Sequence, residues 1–214
     1  MNLSIFKDKT ILITGGSGFL GRRLALHLMK SDAKEIRIFS RDESLQEKMK
    51  DKYPLCNYIL GDVRDYQSVK KAASGVNVVI HAAAVKYLDW AQVQPTDCVK
   101  TNILGSMNVI DACMDNDVDI CVGCSTDKAP FAVNVYGCSK QIMEGLFREA
   151  NKYNKTRLYY LCISPFMNID ILKFLVDMGV KFEKYFCHLC ENRYITNDML
   201  KLLKSLDKSD IFLT

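Results

Sequence analysis

The sequence predicts an α/β fold, a doubly wound parallel sheet with a short, mainly helical C-terminal tail, on three observations. From Thr10 to about Ile163, short β-branched runs alternate with longer amphipathic stretches, the rhythm of repeated β-α units. The first such run passes straight into a turn with glycines at positions 15, 18 and 21 and then into a helical pattern. After Ser164-Pro165-Phe166 the rhythm stops, and two Leu-rich segments around 169–177 and 197–206 follow. The expected organisation is one domain over 1–165 carrying the functional residues, then a tail over 166–214 of unknown role.

Taken in order, strands are expected at Thr10–Thr14, Ile36–Ser40, Asn57–Leu60, Val78–His81, Asp119–Val122 and Arg157–Leu161. The helices between them fall near 19–30, 43–52, 65–74, 95–116 and 137–153, each with apolar residues at helical spacing. Composition agrees with a globular chain: 214 residues, 49% hydrophobic, 25% charged, formal net charge +4. No run of Lys or Arg exceeds two residues, so a nucleic-acid-binding stripe is not expected. No apolar stretch approaches the roughly 18 to 20 residues of a membrane span, and the polar start, Met1 to Lys9, is unlike a signal peptide. A cytoplasmic protein is therefore expected, with its nine scattered cysteines as reduced thiols.

Thr14-Gly15-Gly16-Ser17-Gly18-Phe19-Leu20-Gly21 has the make-up of a phosphate-binding turn. Glycine there permits a tight turn, a close approach of backbone to a pyrophosphate and packing of the helix on the sheet. The first amides of the helix, around Ser17, Gly18, Phe19 and Leu20, then face the phosphates. A dinucleotide is the expected ligand. After the second strand comes Ser40-Arg41-Asp42-Glu43, where Arg41 and Ser40 suit a ribose 2′-phosphate, so NADP is expected over NAD. The alternative is an Arg41 that pairs with Asp42 or Glu43 at a helix start. Asp62 and Val63 after the third strand should flank the adenine, and Ala82 and Ala83 after the fourth should contribute backbone.

The fifth strand ends in Ser125-Thr126-Asp127-Lys128, and Tyr136 and Lys140 follow, four apart on a predicted helix and so on one face. A lysine ammonium beside a phenol stabilises the phenolate, which can take a hydroxyl proton as a hydride leaves. Thr126 can hydrogen-bond the same hydroxyl. The bland alternative is a surface Tyr–Lys pair.

Together the glycine turn, Ser-Arg-Asp-Glu, Gly-Asp-Val-Arg-Asp, His-Ala-Ala-Ala-x-Lys, Thr-Asn, Ser-Thr-Asp-Lys-Ala and Tyr-x-x-x-Lys resemble the extended short-chain dehydrogenase/reductases. More narrowly, over about residues 8 to 160, the chain is similar to the inverting UDP-N-acetylglucosamine 4,6-dehydratases of the polysaccharide-biosynthesis group. That resemblance implies a Rossmann domain with bound NADP, adds Lys86 and Asn102 to the cofactor site, and implies a UDP-sugar substrate. It implies a lyase: Tyr136 and Lys140 oxidise C4 with the cofactor, Lys128 removes the C5 proton, Asp127 helps the C6 hydroxyl leave as water, and hydride returns to C6. An ion pair in a loop is the plain reading of Asp127 and Lys128. A simple reductase, or an inactive NADP-binding or interaction protein, are the competing functions.

The chain also departs from that pattern. Tyr87-Leu88-Asp89 and Gln92-Val93-Gln94-Pro95 replace the group's usual residues on the substrate side, and Pro130-Phe131-Ala132 changes the loop expected over the sugar. Past Tyr159 to Pro165 the sequence is unrelated to the group, so its substrate-binding domain is not expected here; a homo-oligomer remains open. In the tail, Ile169 to Gly179 is similar to part of an ankyrin repeat, and Cys187 and Cys190 have the spacing of half a zinc site. Cys121 and Cys124 share that spacing on a predicted strand. No metal is expected at either.

Overall fold

A computed structural model of the chain describes residues 3–153 and 155–163. The tail expected over 166–214, with its ankyrin-like segment and Cys187 and Cys190, lies outside the described residues. The strands are β1 (Thr10–Thr14), β2 (Glu35–Ser40), β3 (Cys56–Leu60), β4 (Val78–His81), β5 (Ile120–Thr126) and β6 (Arg157–Ile163). They form one parallel sheet in the order β3-β2-β1-β4-β5-β6. That order reverses direction between β1 and β4, and a crevice opens there at the C-terminal strand ends. All five residues of β1 are buried, which explains why the strand reads as an apolar run, Ile11-Leu12-Ile13, between two threonines.

The helices are α1 (Phe19–Leu28), α2 (Glu43–Lys50), α3 (Tyr66–Ala72), α4 (Leu88–Val93), α5 (Pro95–Cys98), α6 (Gly105–Asp115) and α7 (Val135–Ala150). A π-helical stretch, Val99–Leu104, joins α5 to α6. Several starts are set by side-chain caps: Asp42 accepts from the Leu45 amide (2.9 Å), Asp65 from Gln67 (3.0 Å) and Asn134 from Gly137 (2.8 Å). The buried faces follow the sequence pattern, as with Gly21, Leu24, Ala25 and Leu28 of α1. No helix among the described residues is long and apolar enough to cross a membrane.

Two elements differ from expectation. β5 runs past Val122 to Thr126, which carries Cys124, Ser125 and Thr126 up to the crevice as extended backbone. The short helix α4 is an addition. It buries Ala91 completely, with Val85 and Cys98, against Val135 and Tyr136, while Tyr87, Trp90 and Val93 beside or on it stay exposed. An apolar stretch exposed on most sides has no helical period to read.

Candidate active site

A cavity of about 720 Å³ lies along the C-terminal strand ends. Its floor is the β1–α1 turn. Gly15 has φ +67°, and a Cβ placed on it would stand 2.7 Å from the Ala83 backbone, so only glycine fits. Gly21 is as constrained, since its Cβ would meet the Gly16 backbone at 2.5 Å. Ser17, Gly18, Phe19 and Leu20 also border the cavity, at the N-terminus of α1 where amides attract an anion.

The opposite wall of this half is the segment after β4, and a chain of buried hydrogen bonds fixes it. The Ala83 amide donates to Thr14 Oγ1 (3.4 Å), and Thr14 Oγ1 lies 2.7 Å from His81 Nδ1. His81 Nε2 lies 3.0 Å from Ser106 Oγ, which donates to the Asn102 carbonyl at 2.6 Å. Since Ser106 has its hydrogen engaged, the His81 hydrogen belongs on Nε2, and Thr14 donates to Nδ1. Burial lowers the His81 pKa to about 3, with the Lys140 charge adding to the effect, so the ring is neutral.

Most expected cofactor residues border this cavity: Gly15, Ser17, Gly18, Phe19, Leu20, Gly21, Ser40, Arg41, Asp62, Val63, Ala82, Ala83 and Lys86. Asn102 does not. It is fully buried, and its amide donates to the Val85 carbonyl (3.0 Å) and Ser139 Oγ (2.9 Å) while its oxygen accepts from the Val85 amide (2.8 Å). Those bonds use both of its hydrogens, so Asn102 clamps the loop after β4 to α7 and has no donor left for a ligand. Its neighbour Thr101 borders the cavity instead, 6% exposed, with its hydroxyl unpartnered among the described residues. Arg41 does not pair with Asp42 or Glu43; its guanidinium lies 3.9 Å from Asp62, which is held more closely by Arg64 (2.6 Å).

At the other end stand Thr126, Lys128, Tyr136 and Lys140. Asp127 sits behind them: its Oδ1 accepts from Thr126 Oγ1 (3.0 Å) and from Lys128 Nζ (3.1 Å). Lys140 is 2% exposed, donates to the Cys124 carbonyl (2.7 Å), and burial lowers its pKa to about 8. Tyr136 stands one turn before it on α7 and borders the same cavity. Burial raises the Tyr136 pKa, and a hydrogen bond with Thr126 opposes the rise. Sequence reasoning missed Thr101 and also Ser125, whose Oγ on the cavity wall donates to the buried Glu144. Cys56, Cys98, Cys113, Cys121, Cys124 and Cys138 are free thiols, with Cys121 against Cys113 and Cys124 bordering the cavity.

A pyridine dinucleotide fits this site on the structure's own terms: a glycine floor with no room for a Cβ, a helix N-terminus beside it, and a buried orphan hydroxyl on Thr101. Sheet order, glycine turn and the Tyr136–Lys140 helix define a Rossmann-fold protein of the short-chain dehydrogenase/reductase class. Within that class the chain belongs to the polysaccharide biosynthesis protein family, whose match runs over residues 11–169. The UDP-glucose 4-epimerase of Rickettsia rickettsii (strain Sheila Smith) is 40% identical over 171 residues, covering 77% of this chain and 50% of that protein. Among solved structures, Pen from Bacillus thuringiensis aligns with TM-score 0.71 at 31% identity, over 73% of this chain and 50% of its own. A UDP-glucose 4-epimerase from Stenotrophomonas maltophila with bound NAD and formylated UDP-arabinopyranose gives 0.66 at 22%, over 72% and 52%, a likeness of fold alone. The chain spans about half the length of the curated relatives it matches.

Proposed function

We propose that this chain binds NADP and carries the redox and proton-transfer groups of a nucleotide-sugar 4,6-dehydratase, acting on a UDP-sugar of the UDP-N-acetylglucosamine kind in glycan sugar biosynthesis. The observation that carries the reading is the Asp127–Lys128 pair, Oδ1 to Nζ 3.1 Å, beside Thr126 at the end of β5. Inverting or oxidising C4 needs no acid–base pair beyond Tyr136; removing water across C5 and C6 does.

Gly15, Ser17, Gly18, Ser40 and Arg41 would hold NADP, which when bound would supply reversible hydride transfer to and from the sugar. Thr126 and Tyr136 hold the C4 hydroxyl, and Tyr136 receives its proton. The raised Tyr136 pKa means the phenol rests protonated, so this step requires the Lys140 ammonium to act on it from one turn along α7. With C4 a ketone the C5 proton is acidic, and Lys128 takes it. Asp127, within hydrogen-bond reach of Lys128, relays a proton to the C6 hydroxyl, which leaves as water. One proton is thus taken up at Lys128 and one given up at Asp127, two groups joined by a hydrogen bond.

A second reading, 4-epimerisation, is favoured by the Rickettsia relative named UDP-glucose 4-epimerase at 40% identity. Incubating the protein with UDP-N-acetylglucosamine and NADP separates them. A product lighter by one water with no net NADPH supports dehydration; an isomer of equal mass supports epimerisation. Unaltered substrate with NADP bound overturns both in favour of a binding role, and net consumption of NADPH with an added carbonyl compound supports a reductase.

A further inference from the structure

Gln46 on α2 lies outside the cavity wall and is 5% exposed, yet it fixes the direction of a hydroxyl that lies on that wall. Its Nε2 stands 3.0 Å from the Ser40 carbonyl, 3.0 Å from the Ile59 carbonyl and 2.8 Å from Ser40 Oγ. Carbonyl oxygens only accept, so the atom facing them is the amide nitrogen, and the orientation of the amide is settled. An amide nitrogen offers no lone pair. Its two hydrogens serve three oxygens, so one of them is shared; Ser40 Oγ can take part in that sharing but cannot donate to the nitrogen, and its own hydrogen must be donated elsewhere.

Ser40 is 8% exposed and borders the cavity, and among the described residues its hydroxyl hydrogen meets no acceptor. Arg41 follows it with a side chain 59% exposed. The nearest carboxylate, Asp62, already accepts from Arg64 Nε (2.9 Å), Arg64 Nη2 (2.6 Å) and the Arg64 amide (3.0 Å). Arg41 is accordingly held only at 3.9 Å and is open to another anion. The corner at the end of β2 thus presents two donors and an occupied carboxylate. A ribose diol, which offers hydrogens as well as oxygens, is matched poorly by such a corner, whereas a phosphomonoester, all acceptor at neutral pH, is matched well.

We propose that Gln46 is a positioning residue for cofactor selection: by occupying the accepting side of Ser40 Oγ it aims the hydroxyl into the cavity and makes this corner select a 2′-phosphorylated ribose. The proposal rests on the cavity being the NADP site. It acts through Ser40, and that dependence is what the experiment reads.

Binding of 2′,5′-ADP and of 5′-AMP is measured by calorimetry on the full chain for the native protein, Gln46→Met, Ser40→Ala and the double variant. The native protein is expected to prefer 2′,5′-ADP by at least about tenfold. Gln46→Met should cut that preference severalfold with 5′-AMP affinity unchanged, and should change nothing further when Ser40 is already alanine. A merely structural role lowers both affinities together, so an unchanged ratio, or a loss that persists in the Ser40→Ala background, overturns the proposal. Ser40→Ala alone remains decisive even if Gln46→Met does not fold, because a ratio unchanged there overturns it too. A native protein that binds both ligands equally overturns the NADP reading along with the proposal, whereas a native preference untouched by either variant leaves that reading standing and removes only Gln46.

Discussion

The two ends of the cleft are built from different material. Where β1 meets β4, the wall is main chain against main chain, Gly15 against Ala83, braced by the buried line Thr14, His81, Ser106 and Asn102. Where β5 runs into α7, the wall is side chains: Thr126, Lys128 and Tyr136, next to Phe131 and Val133, which are 73% and 90% exposed. A backbone wall allows one ligand shape and no substitutions. A side-chain wall can be rewritten residue by residue, and for that reason one dinucleotide fold carries several sugar chemistries.

The hardest test of that contrast is Gly15→Val. The new Cβ would overlap the Ala83 backbone, and a β-branched residue is strained at φ +67°. NADP binding should be lost altogether in a fluorescence titration, with a lower melting temperature. Binding that survives within tenfold would show that the turn is not the cofactor floor. On the other wall, Lys128→Ala should leave NADP affinity within about twofold but lower dehydratase turnover by at least about a hundredfold, the usual scale for losing a general base. Full turnover in that variant would remove Lys128 from the chemistry.

The same contrast explains what could be read from the sequence. The middle of β1, Ile11-Leu12-Ile13, is apolar because it is fully buried, and the glycines of the first turn are demanded by backbone clearance, so both are written in residue types. The choice between Thr101 and Asn102 was not. Both are buried polar residues on one helical stretch, and only the tertiary hydrogen bonds of Asn102 to Val85 and Ser139 show that it faces the loop while Thr101 faces the cavity. The spacing of Tyr136 and Lys140 placed both on one helix face, but the carbonyl that holds the ammonium comes from β5. Gln46 was invisible for a similar reason: its partners Ser40 and Ile59 belong to two different strands.

The brace behind the backbone wall gives two smaller effects. Asn102→Leu leaves the Val85 amide and carbonyl buried without partners, at a cost of about 1–3 kcal/mol, measurable by urea unfolding. His81 makes the brace sensitive to acid. Its folded pKa of about 3 lies below the ordinary value of 6.5, so as pH falls through 6.5 the unfolded chain takes up a proton that the folded one refuses until about 3. Stability from this group is thus complete above 6.5 and declines across that window, by up to about 1.4 kcal/mol per pH unit. His81→Asn should flatten the acid limb of a stability profile relative to the native chain. An identical slope would mean that His81 is not the group responsible.

The smallest effect is the most telling about how separate the two ends are. Phe131 and Val133 are exposed on the loop between β5 and α7, and neither borders the cavity. Exposed positions away from caps and cores usually change stability by no more than about 0.5 kcal/mol. The double variant Phe131→Ser, Val133→Ser should therefore melt within a degree or two of the native chain and bind NADP with unchanged affinity. Its KM for the sugar nucleotide is the sensitive quantity: a rise with kcat and NADP affinity preserved would show that these side chains hold substrate over Lys128. A fall in NADP affinity would instead show that the loop supports the cofactor end, and the division of the cleft into a backbone wall and a side-chain wall would have to be abandoned.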